Sequence, residues 1–171
     1  MVDIVVGNLC SLAAMVTDSV SGTRKTRNQI LGLQTLSQIF YGVGSFVLRG
    51  YSGTAQNLVA VLRNLATMKD LRQKWVGWLL VALGVILGAL CNNRGLWGWL
   101  PIVANFGYSV AVVFFSQNER LLKIALVICS VMFSLFSGVI RNYVGVLTNL
   151  AVAAVTLLSL IREGRRKKEA E

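Results

Sequence analysis

The sequence has no histidine, a single proline, and seven acidic residues against seventeen basic ones. Without histidine, the commonest general base and a principal zinc ligand are missing. Cys10, Cys91 and Cys129 are widely spaced and form no Cys-x-x-Cys pair. A structural zinc site is therefore not expected, and small apolar packing residues are the better reading. No nucleophile stands with a base, so acid–base chemistry would rest on Asp18 alone. No catalytic residue, metal or other cofactor is assigned, and an enzyme is not expected.

Charge is scarce too. Only 14% of residues are charged, where a soluble domain carries about a quarter. Hydrophobic residues make up 55% of the 171, and the mean hydropathy is +0.65. One small globular core cannot hide that much apolar surface, but a bilayer can solvate it. The expected class is an all-α membrane protein. The net charge of +10 does not imply nucleic acid, because the basic residues cluster between apolar runs without interleaved aromatics. Met1-Val2-Asp3-Ile4 lacks the positive n-region of a signal peptide, so the first apolar run is expected to stay in the mature protein.

Seven spans are expected: about 4–20, 30–48, 53–68, 75–90, 100–116, 121–140 and 143–161. The third contains Gln56, Asn57, Arg63 and Asn64, too polar to face lipid. Gly53, Asn57, Ala60 and Asn64 recur at helical spacing beside Gln56 and Arg63, so this helix is expected inside the bundle. The alternative is six spans with this stretch lying on the membrane surface. In the seventh span, Gly145, Thr148, Asn149, Val152, Thr156 and Ser159 form a similar stripe. Placing the N-terminus outside puts Arg24, Lys25 and Arg27, then Lys69, Arg72 and Lys74, then Arg120 and Lys123, and the basic tail in the cytoplasm. Arg49, Arg94 and Arg141 are left outside, which satisfies the positive-inside rule. Trp75 and Trp78 then mark the inner interface, and Trp97 and Trp99 the outer one.

Two stretches share the pattern Arg-x-Tyr-x-Gly-x-x-x-Asn-Leu, one from Arg49 to Leu58 and one from Arg141 to Leu150. The same offset pairs Ser45 with Ser137 and Ser37 with Cys129, and Val6-x-Asn8 matches Val103-x-Asn105. Spans one to three thus correspond to spans five to seven, with the fourth left over. That extra helix restores the orientation of the second copy, giving parallel repeats in a 3+1+3 plan. The divisions are residues 1–68 and 100–163 for the repeats, 69–99 for the linker helix and its loops, and 164–171 for a basic cytoplasmic tail. The tail reads as a topology anchor beside anionic lipid headgroups.

This plan resembles that of the SWEET sugar transporters and the PnuC-type vitamin-precursor transporters, within the PQ-loop group. Asn57-Leu58-Val59-Ala60-Val61-Leu62-Arg63-Asn64, Leu100-Pro101-Ile102-Val103 and the helix from Asn149 to Arg162 most resemble the bacterial inner-membrane YgjV family, over nearly the whole chain. Val6-Gly7-Asn8-Leu9-Cys10-Ser11 is similar to the Gly-Asn-x-x-Ser start of a SWEET first helix. The resemblance implies a substrate held at mid-membrane between Asn57 and Asn149, with Ser37 and Cys129 as further contacts. SWEET and PQ-loop members also carry a proline in the first helix of each repeat. Here Pro101 is the only proline and starts a helix, so glycines or rigid rocking would have to replace the proline hinge.

The residues themselves leave two readings for Asn57 and Asn149. They are interhelical hydrogen bonds, or an amide pair that binds hydroxyl or amide groups of a polar, uncharged solute. Each is six residues from its tyrosine, about 9 Å at ~1.5 Å per residue, towards the middle of the membrane. Asn8 and Asn105 lie nearer the outer ends, where capping or bundle contacts compete with ligand contact. Asp18 and Arg63 have apolar counterparts near Phe115 and Val155. A mutual ion pair is the expectation, with snorkelling to the inner interface as its alternative and a gate latch or proton coupling as a further role for Asp18.

The leading function is a transporter or facilitator of a small, neutral, polar solute by alternating access, in the bacterial inner membrane. The alternative is a non-transporting module that binds a lipid or protein partner. Besides the solute, membrane lipids are the expected partners, with a homo-oligomer compatible with the plan.

Overall fold

The computed structural model describes residues 1–21, 23–69, 71, 73–115 and 118–170. Gly22, Asp70, Arg72, Ser116 and Gln117, assigned above to connectors or a span end, lie outside the described residues, as do Glu171 and the tail side chains beyond Arg162. Among the described residues there are seven α-helices and no strand: α1 (Val2–Ser21), α2 (Arg27–Val47), α3 (Tyr51–Met68), α4 (Lys74–Leu90), α5 (Trp99–Phe115), α6 (Glu119–Val139) and α7 (Tyr143–Ala170). A 3-10 turn, Gly95–Gly98, precedes α5. Four helices are long and apolar enough to cross a membrane: α1, residues 28–47 of α2, α6, and residues 143–162 of α7.

Burial is inverted relative to a water-soluble bundle. The side chains that α1 hides are Gly7, Ser11, Ala14 and Ser21, while Val5, Leu9, Leu12 and Val16 are exposed. Small residues let helices approach closely, and large apolar ones face outward, as lipid solvation requires. The polar third helix follows the same logic. Ser52, Gly53, Gln56, Ala60 and Asn64 are buried, Leu58, Leu62 and Leu65 are exposed, and α3 packs against α2, α4 and α5.

The helices touch in the cyclic order α1, α2, α3, α5, α6, α7 and back to α1, while α4 bridges α3 and α5. Helix α4 hides little and has no polar stripe, in keeping with a place outside this ring.

The repeated stretches begin in one local structure. Helices α2 and α6 end at C-caps Leu48 and Ile140. Arg49 and Arg141 follow in the left-handed region, with φ of 57° and 60°. Gly50 N–H then donates to Ser45 O (2.7 Å), and Asn142 N–H to Ser137 O (2.8 Å). These are Schellman closures, which satisfy carbonyls left open at a helix end. Helix α7 runs on past the expected end of its span near Ile161 to Ala170. Arg, Lys, Glu and Ala are strong helix formers, and a formed helix propagates at low cost.

Candidate functional site

The six ring helices enclose a cavity of about 330 Å³. Its wall includes Asp18 from α1, Gln38 and Tyr41 from α2, and Gln56, Asn57, Ala60 and Arg63 from α3. The other half contributes Asn105 and Tyr108 from α5, Cys129, Ser130 and Phe133 from α6, and Thr148, Asn149 and Val152 from α7. On α3 the lining runs from Gly53 to Arg63, about 15 Å at ~1.5 Å per residue and half the depth of a ~30 Å hydrocarbon core.

Asn57 and Asn149 both line this cavity and are both half-buried. Each donates one amide N–H to the carbonyl four residues earlier: Asn57 Nδ2 to Gly53 O at 3.0 Å, and Asn149 Nδ2 to Gly145 O at 2.8 Å. The carbonyl beneath each asparagine orients its amide, and the residue carrying it is glycine because a Cβ there would meet Phe136 at Gly53 (2.6 Å) and Asn142 at Gly145 (2.7 Å). One N–H and the carbonyl oxygen of each side chain remain for a ligand. The two asparagines do not bond to each other.

Leu48, Phe136 and Ile140 pack together at one end of the cavity, 5%, 2% and 3% exposed, with Ile4 and Leu100 against them. Leu48 and Ile140 also line a second cavity of about 370 Å³, shared with Met1, Asp3, Arg49, Arg94 and Arg141. The N-terminus, the α2–α3 and α6–α7 turns and the α4–α5 loop therefore meet at one end of the bundle. An apolar layer separates this basic mouth from the amide-lined chamber. It is tightly fitted: a methyl group on Gly53 would meet Phe136 Cε1 at 2.6 Å. Arg94 braces the mouth, donating from Nε to Arg49 O (3.2 Å) and from an Nη to Leu48 O (3.1 Å).

The expected ion pair between Asp18 and Arg63 is not formed. Asp18 Oδ1 instead accepts a hydrogen bond from Ser37 Oγ on α2. Helices α1 and α3 flank α2 and do not pack on each other, which keeps the two charges apart. Ser37 is fully buried, with Gln34 O at 3.1 Å as the alternative acceptor for its single hydroxyl proton; it orients Asp18 and does not line the cavity. Cys129, its counterpart, does. Arg63 shares the cavity wall with Tyr108 and Cys129.

Asn8 ties α1 to α7. Its Nδ2 donates to Ile4 O (2.8 Å) and Arg141 O (3.0 Å), and its Oδ1 accepts from Val144 N–H (3.0 Å). Asn142 Oδ1 takes the next N–H, that of Gly145, at 2.9 Å. Two open donors in the first turn of α7 are thereby satisfied. Asn105 instead lines the central cavity and donates to Gln56 Oε1 (2.7 Å), while Gln56 Nε2 donates to Gly84 O on α4 (2.8 Å). Sequence reading did not single out Tyr41 and Tyr108 in the wall. Their spacing held a signal, since each stands three residues after a polar lining residue, Gln38 or Asn105, on the same helical face.

Among known proteins, a family model described as Imp-YgjV, bacterial inner membrane protein, matches residues 5–167. No curated protein and no solved structure matches the chain.

Proposed function

The chain belongs to the Imp-YgjV family of bacterial inner membrane proteins, and on that premise we propose that it carries a small polar solute across that membrane. The solute binds in the central cavity between Asn57 and Asn149, and the two halves of the bundle rock to expose it on either side. No catalysis is involved. The observation that carries this reading is the amide pair: two repeat-related asparagines, oriented by identical bonds to repeat-related glycines, on the wall of one cavity. The volume of about 330 Å³ suits a small organic molecule; ligand sites run from about 300 Å³ upward.

The helix contacts support a duplicated 3+1+3 plan of seven spans. The pair α1–α2 corresponds to α5–α6, α2–α3 to α6–α7, and α1–α7 to α5–α3, with α4 as linker. Arg49, Arg94 and Arg141 gather at the end that also holds Met1. The opposite end carries Arg24, Lys25, Lys69, Arg120 and Lys123, so the end with fewer basic residues is assigned to the exterior. The Leu48–Phe136–Ile140 layer then acts as the closed outer gate, in the manner of the transporters this plan resembles.

Counterflow into proteoliposomes, run against a panel of sugars, vitamins and nucleosides, tests the proposal. A solute should be taken up, and Asn57→Ala and Asn149→Ala should each suppress its flux while the proteins stay folded. Variants that lose stability or assembly with flux unchanged would establish the non-transporting module instead.

A further inference from the structure

Resting on the transport reading for the use of the cavity, we propose that Arg63 is the seat of an anionic group, a carboxylate or a phosphate, on the molecule that enters it. The Arg63 guanidinium makes no ion pair or hydrogen bond among the described residues; only its backbone carbonyl is engaged by a side chain, accepting from Thr67 Oγ1 at 2.8 Å. Among the described residues Asp18 is the only acidic one on the cavity wall, and its carboxylate is engaged by Ser37. A guanidinium at membrane depth without a counterion is costly, so such a group normally marks a pathway or a binding site.

Snorkelling does not account for it. Helical side chains lean towards the N-terminus of their helix. Helix α3 starts at the end closed by Leu48, Phe136 and Ile140, so Arg63 leans from the nearer end, Met68, towards the middle of the bundle. Cys129, on the wall of the same cavity, lies ten residues into α6, about 15 Å from that helix's start at ~1.5 Å per residue. The guanidinium therefore points to mid-membrane, opposite to the direction in which a snorkelling side chain reaches.

Two cavities also meet at this residue. Arg63 lines the central cavity and a second one of about 320 Å³ between α3, α4 and α5, walled by Val59, Val81, Val85, Ile102 and Phe106. Arg63 thus borders cavity space on both sides. An anion seated there would receive charge-assisted bonds from a planar fork of donors. The rest of a soluble ligand would extend to Asn57 and Asn149. The sequence alone points to a neutral solute; Arg63, a single charge whose counterpart in the second half is apolar, fits a ligand with one anionic end.

The test is thermal unfolding of the full chain in uncharged detergent, at constant ionic strength with chloride as the reference anion. The probes are gluconate, inorganic phosphate, neutral sorbitol and phosphatidylglycerol micelles. Gluconate or phosphate should raise the midpoint and sorbitol should not, a comparison that needs no variant. Arg63→Gln should weaken the anion's apparent affinity by about tenfold or more, and Arg63→Lys should keep part of it. Stabilisation by phosphatidylglycerol alone, lost in Arg63→Gln, supports the seat with a lipid headgroup as its source. If no anion outperforms chloride, or sorbitol stabilises as well as gluconate, or Arg63→Gln changes nothing, the proposal is overturned. The two readings separate through Asn57→Ala and Asn149→Ala: an Arg63-dependent gluconate effect that these variants leave intact would sink the amide-pair site and spare the anion seat.

Discussion

Replacing Asn8 with alanine should destabilise the bundle by about 1–3 kcal/mol, taking ~0.5–1.5 kcal/mol for each of the two interhelical bonds lost. Those are the bonds to Arg141 O and Val144 N–H, both 3.0 Å. The third bond, to Ile4 O, is internal to α1 and adds little. The site lies at the end of the bundle where headgroups and water can rehydrate the freed groups, and interhelical bonds in membranes average ~0.6 kcal/mol, so the lower half of the range is the central expectation. Asn8→Asp keeps the acceptor for Val144 N–H and loses the donor to Arg141 O, so it should show roughly half the effect. Unfolding titration in mixed micelles, followed by tryptophan fluorescence, measures both. An Asn8→Ala protein within about 0.3 kcal/mol of the parent, inside the usual error of such comparisons, would refute the capping role and return Asn8 to the list of ligand candidates.

Two further substitutions probe the shared turns and the buried polar groups. Arg49→Gly and Arg141→Gly should each raise stability or leave it unchanged in the same titration, because φ of 57° and 60° costs a non-glycine residue about 1 kcal/mol; a loss above that figure in both would contradict the strain argument. Ser52→Ala should be neutral or stabilising by up to ~1–3 kcal/mol, since Ser52 Oγ is buried with no hydrogen-bond partner and its removal leaves no orphan behind; a clear thermal destabilisation would mean that the hydroxyl has a partner.

What was legible in the sequence was whatever a local pattern could carry. Helix ends fell within a few residues of the apolar boundaries. The inward face of α3 followed from Gly53, Asn57, Ala60 and Asn64 at helical spacing, three of them buried and Asn57 half-buried on the cavity. The repeated Arg-x-Tyr-x-Gly-x-x-x-Asn encodes a turn and an oriented amide, each fixed by neighbours within five residues, and a glycine whose close fit involves Phe136 at Gly53 and Ser137 at Gly145. What escaped was decided by which helices touch. Asp18 meets Ser37 instead of Arg63 because α2 stands between α1 and α3. Asn8 and Asn105, paired by the matching Val-x-Asn stretches, bond differently, one to a helix start and the other to Gln56. Helix α4 packs beside α3 and α5, and Gln56 reaches across to it. The helical tail was missed because hydropathy marks where a span ends and not where its helix does.

Side-specific labelling of Cys129 with a small charged maleimide tests the central claim most directly. Cys129 lines the chamber, and Cys10 and Cys91 can be replaced by alanine to isolate it. With the layer of Leu48, Phe136 and Ile140 on the exterior side, as proposed, and closed, reagent added outside right-side-out vesicles should fail to reach Cys129. Leu48→Ala together with Ile140→Ala should open that route and raise the outside labelling rate by about tenfold or more, a change of ~1.4 kcal/mol in the closed–open balance. Rapid outside labelling of Cys129 with the layer intact, or no change when both side chains are trimmed, would contradict a gated chamber.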